Sequence, residues 1–219
     1  HRDLHSFPTR RSSDLELLYF LHKWSEFAVL QSSLHQEWSF WNSGTLGVSG
    51  LNYSTSYTLE TWPMPVLDGH DELEDLGNRY HAYRESLMAE ETIGLTQLYN
   101  RFHNPSNGDS RIKVMRGLHR EMDLAVALAY GWDDLDLDHG FYEVPYLPEN
   151  DRVRFTISDC VRFEVLRRLS ELNHQRYDEE VAQGLHKNGV ARTPSRSRRH
   201  ASASTNTSQS LLNDNKETS

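Results

Sequence analysis

DSRIKVMRGLHREMDLAVALAYGW, residues 109–132, decides the architecture. Ile112, Met115, Leu118, Met122, Val126 and Ala129 recur at steps of three and four, so one face of a long helix is apolar. Gly131 is placed to end that helix as a C′ residue. The same pattern appears upstream in DELEDLGNRYHAYRESLMAEE (71–91), with Leu73, Leu76, Tyr80, Tyr83 and Leu87 as the stripe. Asp68 and Asp71 are candidate N-caps, and acids fill the first turn, where they suit the helix dipole. A shorter helix, LTQLYNRFH (95–103), stops at the breaker cluster NPSNG. Beyond a loop over 133–150 come a strand-like RVRFTIS (152–158) and a last helix. That helix is capped by Ser158, carries Val161, Val165, Leu169, Leu172 and Tyr177, and ends near Gly184.

Residues 16–67 have another texture. Four of the chain's five tryptophans fall there, among β-formers. FAVLQSS (27–33) has the short apolar run of a buried strand, and SLHQEWSFW (33–41) the spacing of a short helix. GTLGVSG (44–50) reads as a glycine-rich connection. NYSTSYTLETW (52–62) reads as one or two strands ended by Pro63 and Pro65. The expected fold class is therefore α+β: a small mixed, aromatic-rich unit over 16–67, a mainly α-helical unit over 68–187, and a disordered tail over 188–219. The tail is rich in Ser, Thr, Asn and Arg and cannot bury enough surface to offset its ordering entropy. Its Arg192, Arg196, Arg198 and Arg199 read as part of a solvated terminus.

The first fifteen residues, HRDLHSFPTRRSSDL, carry neither period, nor the apolar run of a secretory signal. Back-translated, they are similar to an adapter oligonucleotide of short-read sequencing libraries. The expectation is an artefact that abuts Glu16, with the real protein extending upstream and this chain its C-terminal fragment.

Composition limits the function classes. The chain is 37% hydrophobic and 25% charged, with a formal net charge of -9. That balance fits a soluble globular protein and argues against a general nucleic-acid coat. No apolar run reaches the roughly 20 residues of a membrane helix. The single cysteine, Cys160, fits a reducing cytoplasm and a small structural role. The glycines of 44–50 match neither the dinucleotide fingerprint nor a P-loop. No metal-ligand spacing occurs among the twelve histidines. His35 with Glu37, and His119 with Asp123 one turn apart, have acid–base residue types, although packing is the ordinary reading of such spacings. On the residues alone there is no active site.

Five stretches in order carry a resemblance: FAVLQSSLHQEW (27–38), GLNYSTSYTLETWPMP (50–65), GLTQLYNRFHNP (94–105), LHREMDLAVALAYGW (118–132) and RVRFTISDCVRFEVLRRLSELNHQRYDEEVAQG (152–184). Together they resemble the C-terminal part of large S-adenosylmethionine-dependent, adenine-specific DNA methyltransferases of the MmeI-like and PglX-like group, found in restriction–modification and phage-defence systems. The resemblance implies that residues 16–67 close a target-recognition domain and that 68–187 form the helical C-terminal domain. It implies double-stranded DNA as the partner of the full-length protein, restriction or defence-system proteins as further partners, and S-adenosylmethionine as the parent's cofactor. The family's Asn- or Asp-Pro-Pro-aromatic motif is missing, for the chain contains no Pro-Pro dipeptide. The expectation is a fragment with no catalytic, cofactor-binding or metal-ligating residues and no methyl transfer of its own. Candidate DNA contacts are Asn52, Tyr53, Ser54 and Tyr57 in the loop, and Arg101, Arg111, Lys113 and Arg116 on the helices. Against these stand turn roles for Asn52 and Ser54, packing of the tyrosines, and solvated helix faces. The alternative comes from a different class: a non-catalytic specificity or assembly subunit whose helices dock a partner protein, with which the acidic helical half is compatible.

Overall fold

The computed structural model describes residues 23–45, 51–53 and 55–185. The adapter-like start, most of the glycine-rich connection, Ser54 and the Ser/Arg-rich tail lie outside the described residues. Described in chain order are α1 (Trp24–Gln31), α2 (Ser33–Asn42), β1 (Gly44–Thr45), β2 (Leu51–Asn52), α3 (Asp71–Glu91), α4 (Leu95–Phe102), α5 (Ser110–Ala129), β3 (Gly140–Glu143), β4 (Val153–Thr156) and α6 (Asp159–Ala182). The two strand pairs are small antiparallel ribbons. β1 meets β2 with Gly44 opposite Asn52, and β3 meets β4 with Phe141 opposite Phe155. The fold is α+β and mainly helical.

The long helices form where the 3.6-residue period required them. On α5, Ile112, Met115, Met122 and Val126 are fully buried, and Gly131 ends the helix at φ +74°. Leu73, Leu76, Tyr80 and Leu87 of α3 are buried in the same core. The start of α3 differs from expectation. His70 is its N-cap and Asp71 its first helical residue, and no side chain caps it, although Asp71, Glu72 and Glu74 occupy the first turn. On α6 the stripe Val161, Val165 and Leu169 is buried, whereas Tyr177 is half exposed because the helix has left the core by then.

Two short elements overturn the expected strands. FAVLQ belongs to α1, not to a strand. Four apolar residues in a row cannot distinguish the two, and here the decision comes from α3. The Glu74 carboxylate accepts the Trp24 and Ser25 N–H groups, at 2.9 and 2.7 Å, so the first turn of α1 is capped by another helix. Gly77 permits this approach: a Cβ there would lie 2.1 Å from the Trp24 carbonyl oxygen. Of the one or two strands expected over 52–62 only Asn52 is in a strand, as the end of β2, and one π-helical turn, Thr55–Leu59, follows. The Trp38 indole N–H donates to the Thr58 carbonyl at 3.1 Å and holds that turn on α2.

α3 packs against both α1 and α5, while α2 packs against α5 and α6. The buried core therefore runs without a break from Ala28, Leu34, Trp38 and Trp62 to Leu169, crossing residue 67. Asn173 of α6 closes the far side by donating to the Thr61 carbonyl at 2.6 Å. No helix of the described residues is long and apolar enough to cross a membrane. Cys160 is exposed at the start of α6, not packed in the core.

Candidate functional site

A cavity of about 430 Å³ opens between α2, α4, α5 and β4. Phe40, Tyr53, Tyr99, Phe102 and Phe155 supply its aromatic walls, and His35, His103 and His119 its nitrogens. Among the described residues none of its lining side chains is acidic or basic in the Asp, Glu, Lys or Arg sense.

Beneath it lies a buried polar cluster centred on Asp123, which is fully buried. Its Oδ1 accepts the Ser33 backbone N–H at 2.8 Å, and its Oδ2 lies 2.8 Å from His139 Nε2 and 3.5 Å from His119 Nε2. Ser33 is the first residue of α2, so a carboxylate sits at the positive end of that helix dipole. Burial on its own would raise the Asp123 carboxyl. His119, His139 and Ser33 reverse this and hold it below its ordinary value. Ser33, His119 and Asp123 have the residue types of a nucleophilic triad but not its geometry. Ser33 Oγ, at 3.1 Å, and Asp123 both meet Nε2 of His119, whereas a triad needs the carboxylate on the opposite nitrogen. Ser33 is also fully buried. The cluster is a helix cap.

The cavity's histidines are held neutral. Burial lowers His35 to about 4, and burial with the nearby Arg154 lowers His103 to about 3. Burial also lowers His119, against the pull of Asp123. His103 Nδ1 accepts the Phe155 N–H at 3.2 Å, which leaves the ring proton on Nε2. The carboxylate of Asp123 beside Nε2 of His119 favours a proton there, which makes Nδ1 an acceptor. That Nδ1, and Nδ1 of His35, are buried with no hydrogen-bond partner among the described residues.

His35 and Glu37 do not pair. His35 Nε2 meets the Tyr53 hydroxyl at 3.0 Å, while Glu37 accepts a short hydrogen bond from Tyr146. Burial pushes the Glu37 carboxyl up to about 7, against Tyr146 and the nearby Arg162.

The sequence-derived DNA contacts are dispersed. Asn52 ends β2, Tyr53 is tied to His35 at the cavity, Ser54 is outside the described residues, and Tyr57 is 60% exposed on the π-helical turn. Arg101 and Arg111 bind Glu91 and Asp109 in a compact group of two cations and two anions. Arg116 is buried. Its guanidinium donates to the carbonyls of Arg101, Phe102, Asn104 and Asn107 and so caps the end of α4 from the side. Its phosphate role gives way to that structural one, because four of its donors are occupied out of solvent's reach. Lys113 is exposed on α5. His103, Tyr99 and Phe155 were not singled out in the sequence. They meet only because α4 and β4 converge, and no local pattern encodes that.

Among the described residues no group of three or more His, Cys, Asp and Glu side chains is placed to hold a metal ion. S-adenosylmethionine does not fit the cavity, whose described lining residues offer no charged group for the donor's ammonium, carboxylate or sulfonium. No family model, no curated protein and no solved structure matches the chain.

Proposed function

We propose that this chain is the C-terminal recognition and support part of a site-specific adenine DNA methyltransferase. The observation that carries this reading is the ordered run of five family-like stretches across residues 27–184. The packing is consistent with it. The aromatic segment is docked on the helices through Glu74 under α1, Asp123 under α2 and Asn173 at Thr61, so the helical part works as a rigid base for the recognition loop. With Arg101, Arg111 and Arg116 engaged internally, the DNA contacts assigned in this reading are Asn52, Tyr57 and Lys113. Binding of S-adenosylmethionine and methyl transfer then belong to a catalytic domain of the parent enzyme, working on double-stranded DNA in a restriction or phage-defence setting.

The test is a double Asn52→Ala, Tyr57→Ala variant of the parent enzyme, measured by fluorescence anisotropy on duplexes with and without the recognition sequence. Site-specific affinity should fall at least tenfold while non-specific binding is retained. Unchanged affinity and specificity would overturn the assignment. Reading the genome upstream of Glu16 gives the complementary check. A glycine-rich donor motif and an Asn/Asp-Pro-Pro-aromatic motif in frame support the methyltransferase, and a start codon close upstream without them supports a non-catalytic subunit.

A further inference from the structure

We propose that the outer face of α5 is a docking surface for a second copy of this chain, which lays the projecting C-terminal half of its own α6 along it, parallel to α5. The inference does not rest on the DNA-modifying function proposed above.

The two faces share one step pattern. Val114, Gly117, Glu121, Leu124 and Leu128 of α5 recur at three and four on the side turned away from the core. Arg167, Ser170, His174, Tyr177 and Val181 do the same on α6. The apolar side chains among them, Val114, Leu124, Leu128, Tyr177 and Val181, are 44–51% exposed. Exposed apolar residues scattered singly need no explanation, but a stripe at this spacing is the seam of a helix pair. α6 is shaped for insertion. Leu169 is its last buried residue, and the helix runs on to Ala182 for roughly three and a half more turns. α5 is shaped to receive it, because a Cβ at Gly117 would meet nothing within 4 Å and leaves room for close approach.

Charge names the occupant. Lys113 and Arg120 flank the α5 stripe on one side, one heptad apart, exposed and without an ion pair among the described residues. Arg79, Arg101, Arg111 and Arg167 are by contrast all paired. Glu171 and Asp178, also one heptad apart and exposed, flank the α6 stripe. In a parallel pair with Leu124 opposite Tyr177 and Leu128 opposite Val181, Lys113 meets Glu171 and Arg120 meets Asp178 of the second copy. The same register sets Gly117 against Ser170, two small residues. It also sets Glu121 against His174, a polar layer of the kind that fixes register. Glu171 is held at home only by Arg167 in an exposed pair, which costs little to exchange. An antiparallel pair would turn both cations away from both carboxylates. DNA phosphates would engage the two cations but leave Leu124 and Leu128 without apolar cover. A helix therefore suits this face better than the duplex to which Lys113 is assigned above.

The full chain is followed by sedimentation velocity from low to high micromolar concentration. It should assemble, and less tightly as salt rises, because the flanking pairs are exposed. Reciprocal insertion gives a dimer and one-way insertion a ring or an open chain, and either mass supports the proposal. Arg120→Glu and Asp178→Arg should each raise the dissociation constant at least tenfold, since each sets like charges face to face. An equal mixture of the two variants should assemble again, because each supplies the charge that the other needs. Leu128→Gln, on the exposed stripe, should weaken assembly with helicity by circular dichroism unchanged. A monomer at every concentration, an assembly that the single variants leave intact, or variants that fail to rescue each other in the mixture would overturn the proposal. So would a loss of duplex DNA binding in Arg120→Glu with no change in mass, which would assign the face to DNA.

Discussion

Two carboxylates, Asp123 and Glu37, are both buried beside α2, yet they carry opposite tendencies. Asp123 lies at the start of the helix, where the Ser33 N–H, His139 and His119 converge on it, and its carboxyl is held below the ordinary value. Glu37 lies one turn further on, with one short hydrogen bond from Tyr146 and Oε1 unpartnered among the described residues, and its carboxyl is pushed up to about 7. Depth is the same in both places, 0% and 2% exposure. The number of converging donors and the end of the helix dipole decide which anion is tolerated.

The comparison can be broken hardest at Asp123. Asp123→Ala strips the acceptor from Ser33 and His139 and should cost about 3–5 kcal/mol in urea unfolding. A loss under 1 kcal/mol would mean that the cluster does not hold α2. Its folded pKa is depressed, so its contribution is present above the unfolded value of 3.8 and fades as pH falls through the lower folded one. Glu37 has the opposite sign. Its folded value exceeds the unfolded 4.5, so its share of stability is present below pH 4.5 and lost as pH rises towards 7. Glu37→Gln should therefore gain on the parent protein by about 2–3 kcal/mol between pH 4 and pH 8. A gain that does not vary with pH would remove the charge explanation.

Glu74 tests whether the same capping works at the surface. Glu74→Ala removes the acceptor for Trp24 and Ser25 N–H and should cost about 1 kcal/mol, well below Asp123, because water can replace it. The smallest effect is expected at Tyr146. Tyr146→Phe deletes the one side-chain donor to Glu37 among the described residues, and the ¹³C-detected midpoint of Glu37 should move upward from about 7. A downward move would assign the shift to something other than desolvation.

The long helices were legible because their stripes run for about four turns or more, enough for the 3.6-residue period to exclude a strand. α1 was not. Phe27, Ala28 and Val29 fit either element, and the capping residue, Glu74, stands about 50 residues away. His119 and Asp123 were visible as neighbours on one helix, but Ser33, whose hydroxyl meets His119 and whose N–H donates to Asp123, was not. Arg116 looked like any solvated cation until α4 ended against it. The cavity was illegible for the same reason: its walls come from residues 30–43, 53, 99–103, 119 and 155, and each is unremarkable in its own segment.

The Ser33–Asp123 hydrogen bond spans 90 residues, and that separation sets an order of events during synthesis. At roughly 5–20 residues per second, the start of α2 leaves the ribosome about 5–18 seconds before its carboxylate partner exists. Until α5 emerges, the Ser33 N–H is satisfied by water alone, and Trp38, Trp62 and Phe40 have no helical bed to cover them. The aromatic segment is thus the part of this chain most in need of chaperone cover while it waits.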